Sequence, residues 1–247
     1  MSSSESCHRA GIPCHVLAPR GESKGTVLLY HGWGSAIDHY LFFGAMIADW
    51  GYDVIVPELP EHGVRGKLDY GDTIVLERYF WQVVLKGAEE AAAITAELNE
   101  AAGTIAVIGH SAGGFIAAGA MIRSNRIQAG IVINGSCAWA KFEELYREKT
   151  GRRPMDAGEQ AFLAKHDPYT RLALEDERAL LMLHGTEDTT VPIDSQRYVV
   201  QTKPHLPLSR LQLVEYAGVN HHITLGMLEK ANNWLQDTIV SKQTGSR

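Results

Sequence analysis

A chain of 247 residues that is 45% hydrophobic and 21% charged hides roughly 70% of its unfolded surface on folding, enough for one sizeable core, and is too apolar for disorder. With 23 Lys and Arg against 29 Asp and Glu, the formal charge is −6, which argues against a general nucleic-acid or anionic-membrane binder, since either needs a basic face. Three cysteines, Cys7, Cys14 and Cys137, cannot make a fully paired disulfide framework and suit a reducing compartment; without an apolar leader after Met1, the expectation is a cytoplasmic protein.

In chain order, Met1–Ser6 reads as a frayed end and Pro13–Leu17 as an edge strand. The apolar run Thr26–Tyr30 reads as a buried strand, followed by His31-Gly32-Trp33-Gly34-Ser35 and a helix over Tyr40–Trp50 that Gly51 stops. Val54–Val56 is the next strand, and Leu76–Ala101 the next helix. Ala101–Ile122 carries no Asp, Glu, Lys or Arg, but Gly109-His110-Ser111 and Gly113-Gly114 in its middle rule against a membrane span. It reads instead as a strand, Ile105–Ile108, and a helix, Ala112–Ser124. Ile131–Ile133 is a further strand. From Trp139 to Thr170 charged residues mix with Trp139, Phe142, Leu145, Phe162 and Leu163, which suggests a small helical insertion, a cap over residues 139–170. Leu180–Leu183 and Leu211–Val214 complete the strands, with helices over Ser195–Thr202 and Leu225–Val240. In the last, Leu225, Leu228, Ala231, Leu235 and Ile239 form one stripe, and Ser241–Arg247 reads as frayed. Near-continuously apolar strands alternating with helices imply an α/β fold: a mostly parallel, twisted sheet covered by helices on both faces, in one domain over residues 1–247.

In such sheets ligands bind beyond the carboxyl ends of the strands, and four segments there carry chemistry. Gly109-His110-Ser111-Ala112-Gly113 is Gly-x-Ser-x-Gly between a strand and a helix, where small neighbours permit the sharp turn that exposes the serine. In His31-Gly32-Trp33 the glycine lets backbone donors approach a ligand; the N–H groups of Trp33 and Ala112 are the natural oxyanion pair. In His184-Gly185-Thr186-Glu187-Asp188, Asp188 is placed to orient an imidazole, with Glu187 read as solvated and Asp194 as a helix N-cap. Gly218-Val219-Asn220-His221-His222 offers a base; successive side chains diverge, so only one of His221 and His222 can serve. His62 reads as a loop-holding residue. Tyr79, Phe80 and Trp81 either reach the site or fill a helix core. No His-Glu-x-x-His, Cys-x-x-Cys, Gly-x-Gly-x-x-Gly or Walker spacing occurs, so no metal and no nucleotide cofactor is expected.

Together, His31-Gly32-Trp33, Pro57-Glu58-Leu59-Pro60-Glu61-His62-Gly63, the Phe80-Trp81-Gln82 helix, Gly-His-Ser-Ala-Gly, His184-Gly-Thr-Glu-Asp188 and Gly218-Val-Asn-His221 resemble the α/β-hydrolase superfamily over nearly the whole chain. Within it the chain is similar to small bacterial esterases near the dienelactone-hydrolase and prolyl-oligopeptidase-like branch. The resemblance implies Ser111 as nucleophile, His221 rather than His222 as base, Asp188 as acid, and Trp33 and Ala112 as oxyanion donors. Pro57-Glu58 departs from the Pro-Asp usual in relatives. The implied function is a cofactor-independent serine carboxylesterase acting on a small-molecule ester, with Trp81, Trp139 and Phe142 as substrate-facing residues. A peptidase or thioesterase with the same triad, or a binding protein on a hydrolase fold, are the alternatives.

Overall fold

The computed structural model describes residues 4–99, 102–172, 174 and 178–244. Its centre is an eight-stranded sheet: β1 (Ser4–Arg9), β2 (Ile12–Leu17), β3 (Gly25–Tyr30), β4 (Asp53–Pro57), β5 (Thr104–His110), β6 (Ile127–Ile133), β7 (Ala179–Gly185) and β8 (Leu211–Tyr216), in the spatial order β1-β2-β4-β3-β5-β6-β7-β8. The six strands from β3 to β8 run parallel, while β1 and β2 are antiparallel to each other and β2 to β4. The fold is the α/β architecture that the alternation predicts.

Strand side chains alternate between two cores. Leu28, Tyr30, Val107, Val132 and Met182 face α2 (Thr73–Glu97), α3 (Ala112–Met121) and α7 (Asp194–Thr202). Val27, Leu29, Ala106, Ile131 and Leu183 face α1 (Ile37–Asp49) and α8 (Leu225–Thr244). Between β6 and β7 lie α4 (Trp139–Thr150), α5 (Ala157–His166) and the single turn α6 (Pro168–Arg171). An Asp156–Glu159 capping box starts α5, satisfying two N-terminal donors at once.

Several boundaries differ from expectation, each for a local reason. Ser4–Ser6 are not frayed. They belong to β1, whose polar, mostly exposed sequence carries no apolar signal, and Pro13–Leu17 is therefore a second strand rather than the edge; Met1–Ser3 lie outside the described residues. The helix expected to reach Ala101 ends at Glu97, and Ala101 lies outside the described residues. Helix α8 continues through Ser241–Thr244 instead of fraying, while residues 245–247 are not among those described. Leu225 leaves the predicted stripe: it holds the first position of α8 and is 77% exposed, whereas Met227 and Trp234 join the buried face. No described helix is long and apolar enough to cross a membrane.

Candidate active site

Ser111 sits between β5 and α3 with φ 56° and ψ −125°, a backbone conformation costly for a residue with a side chain. The strain is fixed from both sides. A Cβ at Gly109 would collide with the Gly113 carbonyl, and one at Gly113 with the Tyr30 carbonyl, so only glycine lets strand and helix close this tightly. The Ser111 N–H donates to the Ile133 carbonyl at 3.0 Å, anchoring the turn to β6.

Two loops from neighbouring strand ends meet the serine. The Ser111 hydroxyl donates to His221 Nε2 at 2.8 Å, and His221 Nδ1–H donates to Asp188 Oδ2 at 2.8 Å. Asp188 follows β7 and His221 follows β8, so adjacent parallel strands deliver acid and base to the same end of the sheet. His222 is exposed, and its carbonyl accepts Asn134 Nδ2–H at 3.1 Å. Glu187 is exposed, as expected. Asp194 is not an N-cap: it lies in the first turn of α7 and pairs with Arg197 at 3.0 Å.

Asp188 accepts three hydrogen bonds, from the N–H groups of Thr190 and Val191 at Oδ1 and from His221 at Oδ2, while His184 Nε2, which donates to the Val191 carbonyl at 3.0 Å, lies within 3.2 Å of Oδ2. Burial works to raise its pKa, but the two imidazoles beside it, His184 and His221, outweigh that and hold the carboxyl well below the ordinary carboxylate range. The His184 contact, 3.2 Å, was not foreseen from the sequence; its place four residues before Asp188 on a strand end is the only sequence signal. Two asparagines, also missed, tie the loops. Asn134 accepts the Gly185 N–H while donating to the His222 carbonyl, and Asn220 accepts the Thr189 and His221 N–H groups.

Beside the serine, a Cβ on Gly32 would lie 3.2 Å from Ser111 Cβ, so the loop after β3 approaches it closely. Among the described residues, no hydrogen bond engages the backbone N–H of Trp33 or Ala112. Three contacts hold that loop. His31 is fully buried, with Nε2 3.1 Å from Glu58 Oε1, so the Glu58 that departs from the usual aspartate buttresses the loop. His62 accepts the Gly34 N–H at Nε2, donates from Nδ1 to the Pro60 carbonyl, and stacks on Tyr70; it holds its own loop after β4, as expected, and ties the loop after β3 to it. Trp33 Nε1–H donates to the Tyr70 carbonyl.

A cavity of about 540 Å³ opens above Ser111 and His221, bounded by Trp33, Ala112 and the cap. Phe80, Trp81, Phe115, Phe142, Tyr146 and Phe162 supply its aromatic wall. Of the substrate-facing expectations, Trp81 and Phe142 line it. Trp139 does not: it is fully buried behind Trp81, over Gly119, where its indole packs the cap onto α3. Tyr79 also stays outside the lining, whereas Phe80 is in it. The charged lining residues are mutually paired. Glu143 accepts Trp81 Nε1–H and Arg147 Nε–H, Arg147 forks onto Glu159 at 3.1 Å, and Arg152 meets Glu77 of α2 at 2.9 Å. Among the described residues, no three His, Cys, Asp or Glu side chains group as metal ligands.

The sequence pattern of the prolyl oligopeptidase family matches residues 84–237, well over half of the chain and inclusive of Ser111, Asp188 and His221. The chain belongs to this family. It is accordingly a serine hydrolase of the α/β-hydrolase fold. The chain is similar to "Esterase YjfP" of Escherichia coli, 28% identical over 240 residues covering 92% of this chain and 95% of that protein. It is similar also to "Putative esterase YitV" of Bacillus subtilis, 27% identical over 248 residues with the same coverage of each chain. Among solved structures, a Thermus thermophilus protein superposes with a TM-score of 0.81 at 23% identity, over 97% of this chain and 98% of that one.

Proposed function

We propose that the protein is a cofactor-independent serine carboxylesterase, with Ser111 as nucleophile, His221 as general base, Asp188 as its orienting acid, and the Trp33 and Ala112 N–H groups as oxyanion donors. The observation that carries this reading is the unbroken Ser111–His221–Asp188 hydrogen-bond chain, 2.8 Å at each link, at the base of the aromatic cavity. Ser111 Oγ attacks the ester carbonyl as His221 Nε2 takes its proton, and the tetrahedral oxyanion is held by two backbone donors free for it. The proton then passes from His221 to the departing alcohol. Water hydrolyses the acyl-enzyme by the same sequence in reverse roles, regenerating the Ser111 hydroxyl. Residues 139–170 act as a cap within a single domain, and their self-neutralised charges favour an uncharged, apolar group on the substrate.

Initial rates on p-nitrophenyl esters from acetate to decanoate, for the wild type and Ser111→Ala in parallel, test the proposal. Turnover should fall by up to about 10⁶ in the variant, on the scale of other serine triads; equal rates in both proteins would remove Ser111 from the mechanism. Because the family takes its name from peptidases, aminoacyl anilides and thioesters belong in the same series, and faster cleavage of either class than of esters would reassign the substrate.

A further inference from the structure

Cys7 and Cys14 stand apart from the active site, and the proposed reaction uses neither. They face each other across the β1–β2 hairpin, in direct register. The connecting residues, Ala10 and Gly11, have φ values of 50° and 75°, the signature of a two-residue type I′ turn. In such a hairpin the residues flanking the turn, Arg9 and Ile12, exchange both N–H···O bonds, and hydrogen-bonded and non-hydrogen-bonded pairs alternate outward. Two residues further along each strand, Cys7 and Cys14 are again a hydrogen-bonded pair, with an expected Cα separation of about 5.5 Å. That spacing falls where disulfides form. Both thiols are free, their Sγ atoms are 3.2 Å apart, and both side chains pack on the α2–α3 side of the sheet. Their access differs: Cys7 is half-buried, while Cys14 is buried and pushed up to about 12 by that burial and by the Cys7 thiol beside it.

We propose that Cys7 and Cys14 form a reversible oxidation site, closing a cross-strand disulfide by exchange with a low-molecular-weight disulfide and so fastening the edge strand β1 to β2. The half-buried Cys7 sulfur, as thiolate, attacks one sulfur of RSSR; the S–S bond breaks, and RS⁻ leaves and is protonated to RSH. Cys14 sulfur then attacks Cys7 sulfur in the mixed disulfide, forming the Cys7–Cys14 bond and expelling the second RS⁻, which takes up the other thiol proton. Two thiols are oxidised, and one RSSR is reduced to two RSH. The strand so fastened is an edge strand. β1 pairs on one side only, most of its residues are exposed, and the turn of the hairpin is tied to α2 by the Ala10 N–H, which donates to Glu97 at 2.6 Å.

The test is to equilibrate the folded full-length protein with excess oxidised glutathione, quench with acid, unfold, alkylate and read masses. The expected product is a monomer lighter by two hydrogens with only Cys137 alkylated, restored to three alkylated thiols by reduced glutathione. Cys137→Ser should oxidise as the wild type does, and Cys7→Ser should not close. Hydrogen exchange of Ser4–Arg9 should slow several-fold in the oxidised chain. Three alkylated cysteines after oxidation, a glutathione adduct persisting on Cys7, or a Cys7-linked dimer would overturn the site. Unchanged exchange over β1 would overturn its fastening role.

Discussion

His110 precedes the proposed nucleophile and packs 5.1 Å, centroid to centroid, from the His221 ring, yet it takes no hydrogen bond from either. Tyr40 donates to its Nδ1 at 2.7 Å, and its Nε2 is buried without a partner. Burial, and then the nearby His221, push its pKa down from 6.5 to about 3. A neutral neighbour spares His221 a competing positive charge. The sign of the linkage follows: between pH 6.5 and 3 the unfolded chain binds a proton at this residue that the folded chain refuses. The stability it contributes is complete above about 6.5 and is lost as the pH falls toward 3. His110→Gln should therefore flatten the acid-side decline of Tm over that interval, as calorimetry at stepped pH would read; a decline as steep as the wild type's would contradict it. At the same scale, Asp188→Asn should preserve the loop while favouring the wrong His221 tautomer, lowering kcat by about 10⁴ by analogy with another serine triad. Single-turnover rates on a p-nitrophenyl ester would measure it, and a loss under tenfold would mean that Asp188 does not orient the base.

Among the elements, one cap carboxylate gathers two arginines. Glu159 receives Arg147 from α4 and Arg153 from the α4–α5 connection, and its side chain also accepts the Asp156 N–H. The two guanidinium groups, Arg147 first, draw its pKa from 4.5 down to about 2. Its contribution is thus present above about pH 4.5 and fades as the pH drops toward 2. Glu159→Gln should loosen α5 at neutral pH, seen as faster hydrogen exchange over Ala157–His166 with the sheet's exchange unchanged; identical exchange in both proteins would show the cluster to be dispensable. This cluster is not legible in the sequence, where Arg147, Lys149, Arg152 and Arg153 simply interleave with acids. Charge alternation looks the same whether a helix meets water or folds back on a partner. The sharp turn at Ser111 was legible because its reason is local: the glycines two positions either side of the serine are dictated by the turn itself. Trp139 was misplaced for the opposite reason, since the face that a cap aromatic presents depends on how the cap docks.

For the whole molecule, the sheet and its helices could be read because strands buried on both faces must be apolar throughout. Helix bounds slipped by a few residues where no glycine or proline marked the end. β1 escaped because an edge strand needs only one paired side and one inward residue, and a two-residue turn of alanine and glycine is a faint signal. Asn134 and Asn220 escaped because their partners, Gly185, Thr189, His221 and His222, are brought near only by the fold.

The order of the strands has one more outcome, for ageing and heat. β8, which carries the loop bearing His221, is the last strand of the sheet, and only Leu211 of its six residues is fully buried. β5, which presents Ser111, lies deep in the interior. The two halves of the proposed machinery therefore rest on parts of unequal durability, and local opening draws on the weaker. Warmed slowly, the protein should fall silent while still folded: turnover should drop several degrees below the midpoint of the far-ultraviolet circular dichroism transition, and cooling before that midpoint should restore it. Coincident curves would mean that the outer strand and the interior melt as one unit.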